Sequence, residues 1–113
     1  MKKSEITHYL PVKPISVNEC WQGRRFKTKK YDAFIEEMLL QMPQHKPLDG
    51  LLEVEIIFGL RSLVRGDLDN LLKPVIDCIV KKHWIADDRY ITTIKASKVK
   101  QKKESISIMI KQL

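Results

Sequence analysis

The stretch RGDLDN carries two carboxylates, Asp67 and Asp69, one residue apart between a strand-like run and a helix-like run. If the backbone is still extended there, the two side chains point the same way and converge on one point. A divalent cation would relieve their repulsion, and Mg²⁺ prefers oxygen ligands from a few carboxylates, phosphate and water. The pair therefore predicts a metal site. The structural alternative is that Asp69 caps a helix while Asp67 is solvated in a turn.

The residues that follow widen this chemistry. Lys73 stands four residues after Asp69, and a second acidic pair, Asp87 and Asp88, comes after the next helix-like run. A metal held by carboxylates would lower the pKa of a bound water and balance charge on a scissile phosphate, while a lysine could neutralise the transition state or the leaving oxygen. The set is typical of phosphoryl transfer. Lys73 also has a plainer interpretation as a helical ion pair with Asp69.

The chain as a whole is basic, with 21 Lys and Arg against 14 Asp and Glu and a net charge of +7. This balance favours a polyanionic partner such as nucleic acid or an acidic membrane surface. The candidate phosphate contacts are Arg24, Arg25, Lys27, Lys29, Lys30, Arg65, Lys95, Lys98, Lys100, Lys102 and Lys103. Such contacts give salt-dependent affinity without reading sequence, whereas the alternative for each is a solvated basic face. An acidic lipid is a poorer partner, because no segment pairs a basic face with an exposed apolar one.

Length and composition exclude several classes. The 113 residues predict a single domain over 1–113. Cys20 and Cys78 stand far apart without a Cys/His metal pattern, which predicts reduced thiols, and His8, His45 and His83 share no ligand spacing. No run approaches the roughly 20 apolar residues of a membrane span, and the N-terminus lacks a signal-peptide pattern. We expect a soluble intracellular protein, cytoplasmic and associated with the nucleoid, with no membrane partner.

Hydrophobic periodicity predicts elements in the order β, α, β, α, β, β. The predicted strands are 5–12, 51–60, 90–100 and 104–113, the predicted helices are 31–42 and 70–82, and 13–30 is predicted to be a loop. The last two strands predict a hairpin. The fold class expected is α+β, a small mixed or antiparallel sheet with two helices packed on it.

Within these elements, the strand at 51–60 has the clearest alternation and is predicted to be central. The side chains expected in the core are Leu52, Val54, Ile56, Phe58, Leu60, Trp84, Ile106, Ile108 and Ile110. Asn70 is predicted to cap the second helix, which puts Pro74 at the fourth helical position, where it removes one backbone bond near the start.

The run RGDLDNLLKPVIDCIVKKHWIADDRYI resembles the signature of RusA-type Holliday junction resolvases: DLDN, a lysine three residues later, a helical aspartate and a DD pair near a bulky apolar residue. PISVNECWQGRRFKTKKYDAF is similar to the family's N-terminal stretch, so the resemblance covers roughly residues 10 to 95. In place of the several arginines that the family often carries before DLDN, this chain has only Arg61 and Arg65.

The resemblance implies a Mg²⁺-dependent homodimeric endonuclease, with Mn²⁺ as an alternative metal. Such an enzyme cuts paired strands of a four-way DNA junction in recombination and repair and leaves a 5′-phosphate. Carried over by position, the metal ligands fall on Asp67, Asp69 and Asp88, and the catalytic lysine falls on Lys73. Asp77 matches an acidic position of the family's helix and is expected only to orient its neighbours.

A distance argument bears on Asp88. A helix over 70–82 carries the chain roughly 20 Å away from Asp69. The six residues 83–88 could return across that gap only if fully extended. An Asp88 from a second subunit would reach more easily, which gives the hypothesis that each metal site is completed across a two-fold interface.

Two rival functions remain open at this point. One is a nuclease of the same fold that acts on other branched or single-stranded DNA. The other is a non-catalytic basic DNA-binding protein in which the aspartates only cap a helix.

Overall fold

A computed structural model describes the backbone of residues 4–22 and 26–113 and the side chains of residues 4–20 and 28–113. The strands are β1 (Glu5–Leu10), β2 (Trp21–Gln22), β3 (Phe26–Lys27), β4 (Leu52–Leu60), β5 (Ile91–Lys100) and β6 (Ser105–Gln112). The helices are α1 (Val17–Cys20), α2 (Lys29–Gln41) and α3 (Leu68–Lys81), with a 3₁₀ turn at Asp88–Tyr90.

Four of the strands form one mixed sheet in the order β1-β6-β4-β5. β4 lies inside the sheet, parallel to β5 and antiparallel to β6, and β1 is antiparallel to β6. β2 and β3 pair separately with each other. The predicted α+β class with a mixed sheet is therefore confirmed.

The core lies between one face of the sheet and the helices. Alternate residues of β4 from Leu52 to Leu60 are buried, as are Ile106, Ile108 and Ile110 of β6. They pack in one cluster with apolar residues of α2 and α3. Trp84 is fully buried, and its indole N–H donates to the Pro43 carbonyl at 2.8 Å. The predicted core is thus confirmed.

The predicted terminal hairpin is wrong, because β5 and β6 lie on opposite sides of β4. The connection between them crosses the end of β4, where the Gln101 N–H donates to the Leu60 carbonyl at 2.8 Å. Gly59 lies against this crossing, and a Cβ there would collide with the side chains of Gln101 and Ser105 unless they moved. Two strands adjacent in sequence are therefore separated by a third.

The described part of the segment 13–30 is more ordered than the predicted loop. It contains the short α1, both strands of the small β2-β3 pair and the start of α2, so the described chain has three helices instead of two. α2 begins at Lys29, since the Thr28 hydroxyl caps it by accepting from the Tyr31 N–H at 3.2 Å.

α3 begins earlier than predicted. Its first residue is Leu68 and Asp67 occupies the N-cap position, so Asn70 is the third helical residue and the prediction that it caps the helix is wrong. The physical reason is Gly66, whose φ of +68° turns the chain into the helix at that point. Pro74 is consequently the seventh helical residue, not the fourth, and is buried.

Candidate active site at the amino end of α3

Asp67 and Asp69 both stand at the exposed amino end of α3. Asp67 has extended backbone angles (φ −88°, ψ 145°), and its carboxylate makes no capping hydrogen bond. Asp69 is in the first helical turn, so the premise that the chain is extended from 67 to 69 is wrong, and so is the alternative that Asp69 caps the helix. The partial positive charge of a helix amino end stabilises both carboxylates. They are free to bind a cation or a water.

Lys73 is held by Asp77, one turn further along α3. Its Nζ lies 3.0 Å from Asp77 Oδ1, so it pairs forward and not back to Asp69. Tyr31 of α2, which is buried, donates its hydroxyl to Asp77 Oδ2 at 3.2 Å. The hydrogen bond to Asp77 raises the pKa of Lys73 against the effect of burial, and the charges of Asp77 and Asp88 add to the rise. Lys73 is therefore an anchored, permanently charged group on the exposed side of the helix.

Asp88 and its neighbour Asp87 lie in the turn before β5. The Asp87 carboxylate accepts the Arg89 N–H at 3.0 Å and caps the 3₁₀ turn. This bond, together with a hydrogen bond involving Asp88, lowers the pKa of Asp87. Asp87 has a structural task, whereas Asp88 is exposed.

The Asp88 turn and the amino end of α3 are connected to opposite ends of β4. Ile91, which follows the Asp88 turn, pairs with Leu52, while α3 follows the Leu60 end and runs back along the strand. Asp88 therefore lies close enough to Lys73 of the same chain for its charge to raise the pKa of that lysine. Among the described residues, no three His, Cys, Asp or Glu side chains come close enough to hold a metal ion. Asp67 and Asp69 nevertheless carry carboxylate oxygens, which are the donors that Mg²⁺ takes.

The loop that leads into Asp67 uses two of the predicted DNA contacts internally. Arg65 donates from Nη1 to Glu104 and from Nη2 to the Pro14 carbonyl at 2.9 Å, and its side chain is 30% exposed. Lys98 Nζ donates to the carbonyls of Leu63, at 3.1 Å, and Gly66. Both cations thus hold the loop in place.

Beside this loop lies a groove of about 680 Å³. Its walls carry four basic and two acidic side chains: Lys13, Arg61, Arg65, Lys103, Glu37 and Glu104. Lys13 was not predicted to contact DNA, because it is an isolated lysine between Pro11 and Pro14 in the sequence. Only the fold brings it beside the loop of Arg61 and Arg65, about 50 residues away. We call this surface the basic groove.

The other predicted DNA contacts are distributed along the chain. Lys29 and Lys30 are exposed at the start of α2, where Lys30 lies 3.9 Å from Glu19. Lys95, Lys100, Lys102 and Lys103 are exposed on β5 and in the connection to β6. The side chains of Arg24, Arg25 and Lys27 lie outside the described residues.

The cysteines and histidines offer no competing site in the described part of the chain. Both thiols are free and buried, and burial raises the pKa of Cys20 to about 11 and of Cys78 to about 12, so neither is a nucleophile at neutral pH. The rings of His8 and His45 both lie 4.9 Å from Trp84, which gives them a structural role. No helix in the described residues is long and apolar enough to cross a membrane.

Comparison with known proteins identifies the family of this chain. A family model described as endodeoxyribonuclease RusA matches residues 16–111, which include α3, the Asp88 turn and the basic groove's Arg61, Arg65, Lys103 and Glu104. No match was found among curated proteins. Members of this family are Holliday junction resolvases that hydrolyse phosphodiester bonds and generally depend on a divalent metal. The chain belongs to the RusA family of endodeoxyribonucleases.

Proposed function

We propose that this protein is a Mg²⁺-dependent resolvase that acts as a homodimer on four-way DNA junctions and leaves 5′-phosphates by paired phosphodiester hydrolysis. It would act on cytoplasmic, nucleoid-associated DNA in recombination and repair. The observation that carries the proposal is the amino end of α3, where two exposed carboxylates free of capping bonds stand in the same helix as an anchored lysine. A helix cap alone needs neither the second carboxylate nor the lysine.

Each residue has a proposed task. Asp67 and Asp69 of one subunit, with Asp88 of the other, would hold Mg²⁺, which when bound supplies an activated water and neutralises phosphate charge. Lys73 would place its ammonium group against the scissile phosphate or the leaving oxygen. Its pairing with Asp77 limits the positions that its flexible side chain can take.

The second subunit is proposed to dock along β5. This ten-residue strand pairs with β4 on one side only and is an edge of the sheet. Large apolar side chains are exposed along it and in the loop that Lys98 contacts, namely Leu63, Val64, Ile94 and Val99. Val64 is 91% exposed. An exposed edge strand with apolar neighbours is a template for pairing with another chain.

Antiparallel pairing of two β5 strands about a two-fold axis would also complete the metal site. It sets the start of each β5 beside the end of the partner's β5. Asp88 precedes the start of β5, and Lys98 near its end contacts the loop that leads into Asp67. Asp88 would then face the partner's α3 acids, and the two sites of the dimer would serve the two symmetric cuts of a junction.

DNA is proposed to lie over the basic groove and the adjoining lysines of the β5-β6 connection. Lys13, Arg61 and Lys103 line the groove, and Lys100 and Lys102 stand beside it. Because such contacts read phosphates and not bases, affinity should fall steeply with salt and depend on DNA shape.

The test is to incubate the protein with Mg²⁺ and a four-way junction, a fork and a duplex in parallel. The proposal expects symmetric cleavage of the junction, lost in Asp67→Asn while junction binding persists. Asp32→Asn, which removes a similarly exposed first-turn acid from α2, is the matched control and should cleave normally. Preferred cleavage of forks or single strands would favour the broader nuclease, and tight binding without any cleavage would favour a DNA-binding protein.

A further inference from the structure

A single carboxylate, Glu104, ties together the loop 61–66 and the connection between β5 and β6. Its Oε2 accepts the backbone N–H of Arg61 at 3.0 Å, and its Oε1 accepts from the Arg65 guanidinium. Arg61 Nε in turn donates to the Lys102 carbonyl at 2.9 Å, so the two segments are joined from both sides. We call the Arg65–Glu104 pair and its Arg61 bond the clasp.

The clasp is better built than an ordinary surface ion pair. Glu104 is only 9% exposed, and each of its oxygens has a partner. Arg65 uses its other terminal nitrogen on the Pro14 carbonyl, which leaves its guanidinium little freedom to reach a phosphate. A partly buried pair whose hydrogen bonds are satisfied fixes geometry, whereas exposed pairs contribute little.

The position of the clasp gives it a consequence for the active site. Arg65 is followed by Gly66, which adopts a positive φ, and then by Asp67 at the N-cap. With no Cβ, Gly66 cannot by itself restrict where the next residue points. The fixed points around it are the clasp, the Lys98 ammonium on the Gly66 carbonyl, and the first turn of α3.

We infer that Glu104 is a positioning residue for Asp67, and that Arg65 acts with Glu104 in this role and not as a DNA contact. This inference rests on the proposed function for its effect on cleavage, while its structural part stands independently. Glu104 holds the loop that aims Asp67, so that loss of the clasp misplaces a metal ligand without removing it.

Glu104 could also act only through its negative charge, and the two roles predict different effects of removing it. Glu104 lies in the basic groove together with Glu37 of α2, and either carboxylate repels DNA phosphate there. If charge were its only contribution, removing it would tighten DNA binding and leave the rate of the bound complex unchanged. Glu37→Gln makes the same change of charge in the same groove and is the matched control for the effect of that charge on junction Kd.

The experiment compares wild type, Glu104→Ala, Glu104→Gln and Glu37→Gln by single-turnover cleavage of saturating junction, with the junction Kd measured separately. Glu104→Ala should lose about tenfold to hundredfold in rate, as is typical when an outer partner of a metal ligand is removed, with equal or tighter binding. Glu104→Gln keeps the side-chain length and one of the two acceptor oxygens, so it should recover part of the rate. Glu37→Gln should tighten junction binding, and it is compared with Glu104→Gln for that Kd alone.

Amide hydrogen exchange of the metal-free protein provides a readout that needs no catalysis. Exchange in residues 61–67 should be faster in Glu104→Ala than in wild type and unchanged in Glu37→Gln. Unaltered exchange, or wild-type cleavage by Glu104→Ala, overturns the inference. If the wild type cuts no junction, the proposed function fails, and the exchange comparison still decides whether the clasp positions the loop.

Discussion

The amino end of α3 and the turn before β5 both present exposed aspartates, yet their support differs. Asp67 follows a loop held by Arg65, Lys98 and the Glu104 carboxylate. Asp88 sits in a turn held by the Asp87 cap on the Arg89 N–H, by a hydrogen bond involving Asp87 and Asp88, and by Arg89 on the Tyr90 hydroxyl. The bonds of the first region join it to distant segments of the chain, and those of the second lie within the turn.

This contrast bears on how the proposed site would be divided. Asp67 stands near the bonds that Arg61 and Lys98 make to backbone carbonyls at the Leu60 end of β4. Asp88 precedes β5 at the Leu52 end, and it is the acid that the proposed dimer would carry to the partner's α3. Such a dimer would have two sites.

The largest expected effect is the loss of cleavage when a proposed metal ligand is removed from either acidic region. Asp88→Asn should abolish Mg²⁺-dependent junction cleavage as fully as Asp67→Asn, by roughly a thousandfold or more, since each removes a ligand worth several kcal/mol in the transition state. Asp87→Asn should retain most activity, because asparagine also caps. Cleavage by Asp88→Asn at a rate near that of wild type would remove Asp88 from the site.

Disrupting the proposed dimer interface along β5 should separate the Asp88 turn of one subunit from α3 of the other. Ile94→Asp places a charge in the middle of β5, so we expect a monomer by light scattering and loss of cleavage with the fold intact by circular dichroism. Leu40→Asp makes the same change at an exposed leucine of α2 and should leave both mass and activity unchanged. A dimeric Ile94→Asp protein would place the interface elsewhere.

A smaller effect is expected at the lysine. Asp77→Asn removes the anchor of Lys73 and its ion pair, and we expect a loss of about tenfold in the single-turnover rate with little change in junction Kd. Tyr31→Phe, which removes one hydrogen bond to Asp77, should cost less than Asp77→Asn. If Asp77→Asn weakens binding and leaves the rate unchanged, Lys73 contacts DNA without taking part in the reaction.

The smallest effect concerns pH and the clasp. Burial acts to raise the pKa of Glu104, but the Arg61 N–H and the Arg65 guanidinium outweigh it, with Lys13 adding to them, and the pKa lies below its usual value. The clasp's stability is therefore fully present above the ordinary glutamate pKa of about 4.3 and lost as pH falls through the lowered value. The difference in Tm between wild type and Glu104→Gln should shrink as pH falls below about 4.3. A difference that stays constant over that range would contradict an ionised Glu104.

The periodicity of apolar residues within one segment was enough to predict β4 and most of α3. The alternation from Leu52 to Leu60 gave β4 and its buried face, and the 3.6-residue period gave α3 apart from its first turn. The prediction that Asn70 caps α3 was wrong because the chain turns into the helix at Gly66. The terminal hairpin failed because strand neighbours are chosen by pairing with β4, which adjacent sequence does not encode.

The candidate site divides in the same way. Asp67, Asp69 and Lys73 were recognisable from their types and spacing in one short run. The clasp was not, because Arg65 and Glu104 are 39 residues apart and each resembles an ordinary surface charge in sequence. Lys13 of the basic groove was missed for the same reason.

The most direct test of a site shared between subunits is a mixed dimer, made from differently tagged chains that carry Asp67→Asn and Asp88→Asn and purified through both tags. If Asp88 serves the partner's α3, one site contains both substitutions and the other contains neither, so the mixed dimer should nick junctions while each homodimer is inactive. If each chain builds its own site, both sites of the mixed dimer carry one substitution. A mixed dimer that fails to nick would contradict the shared site.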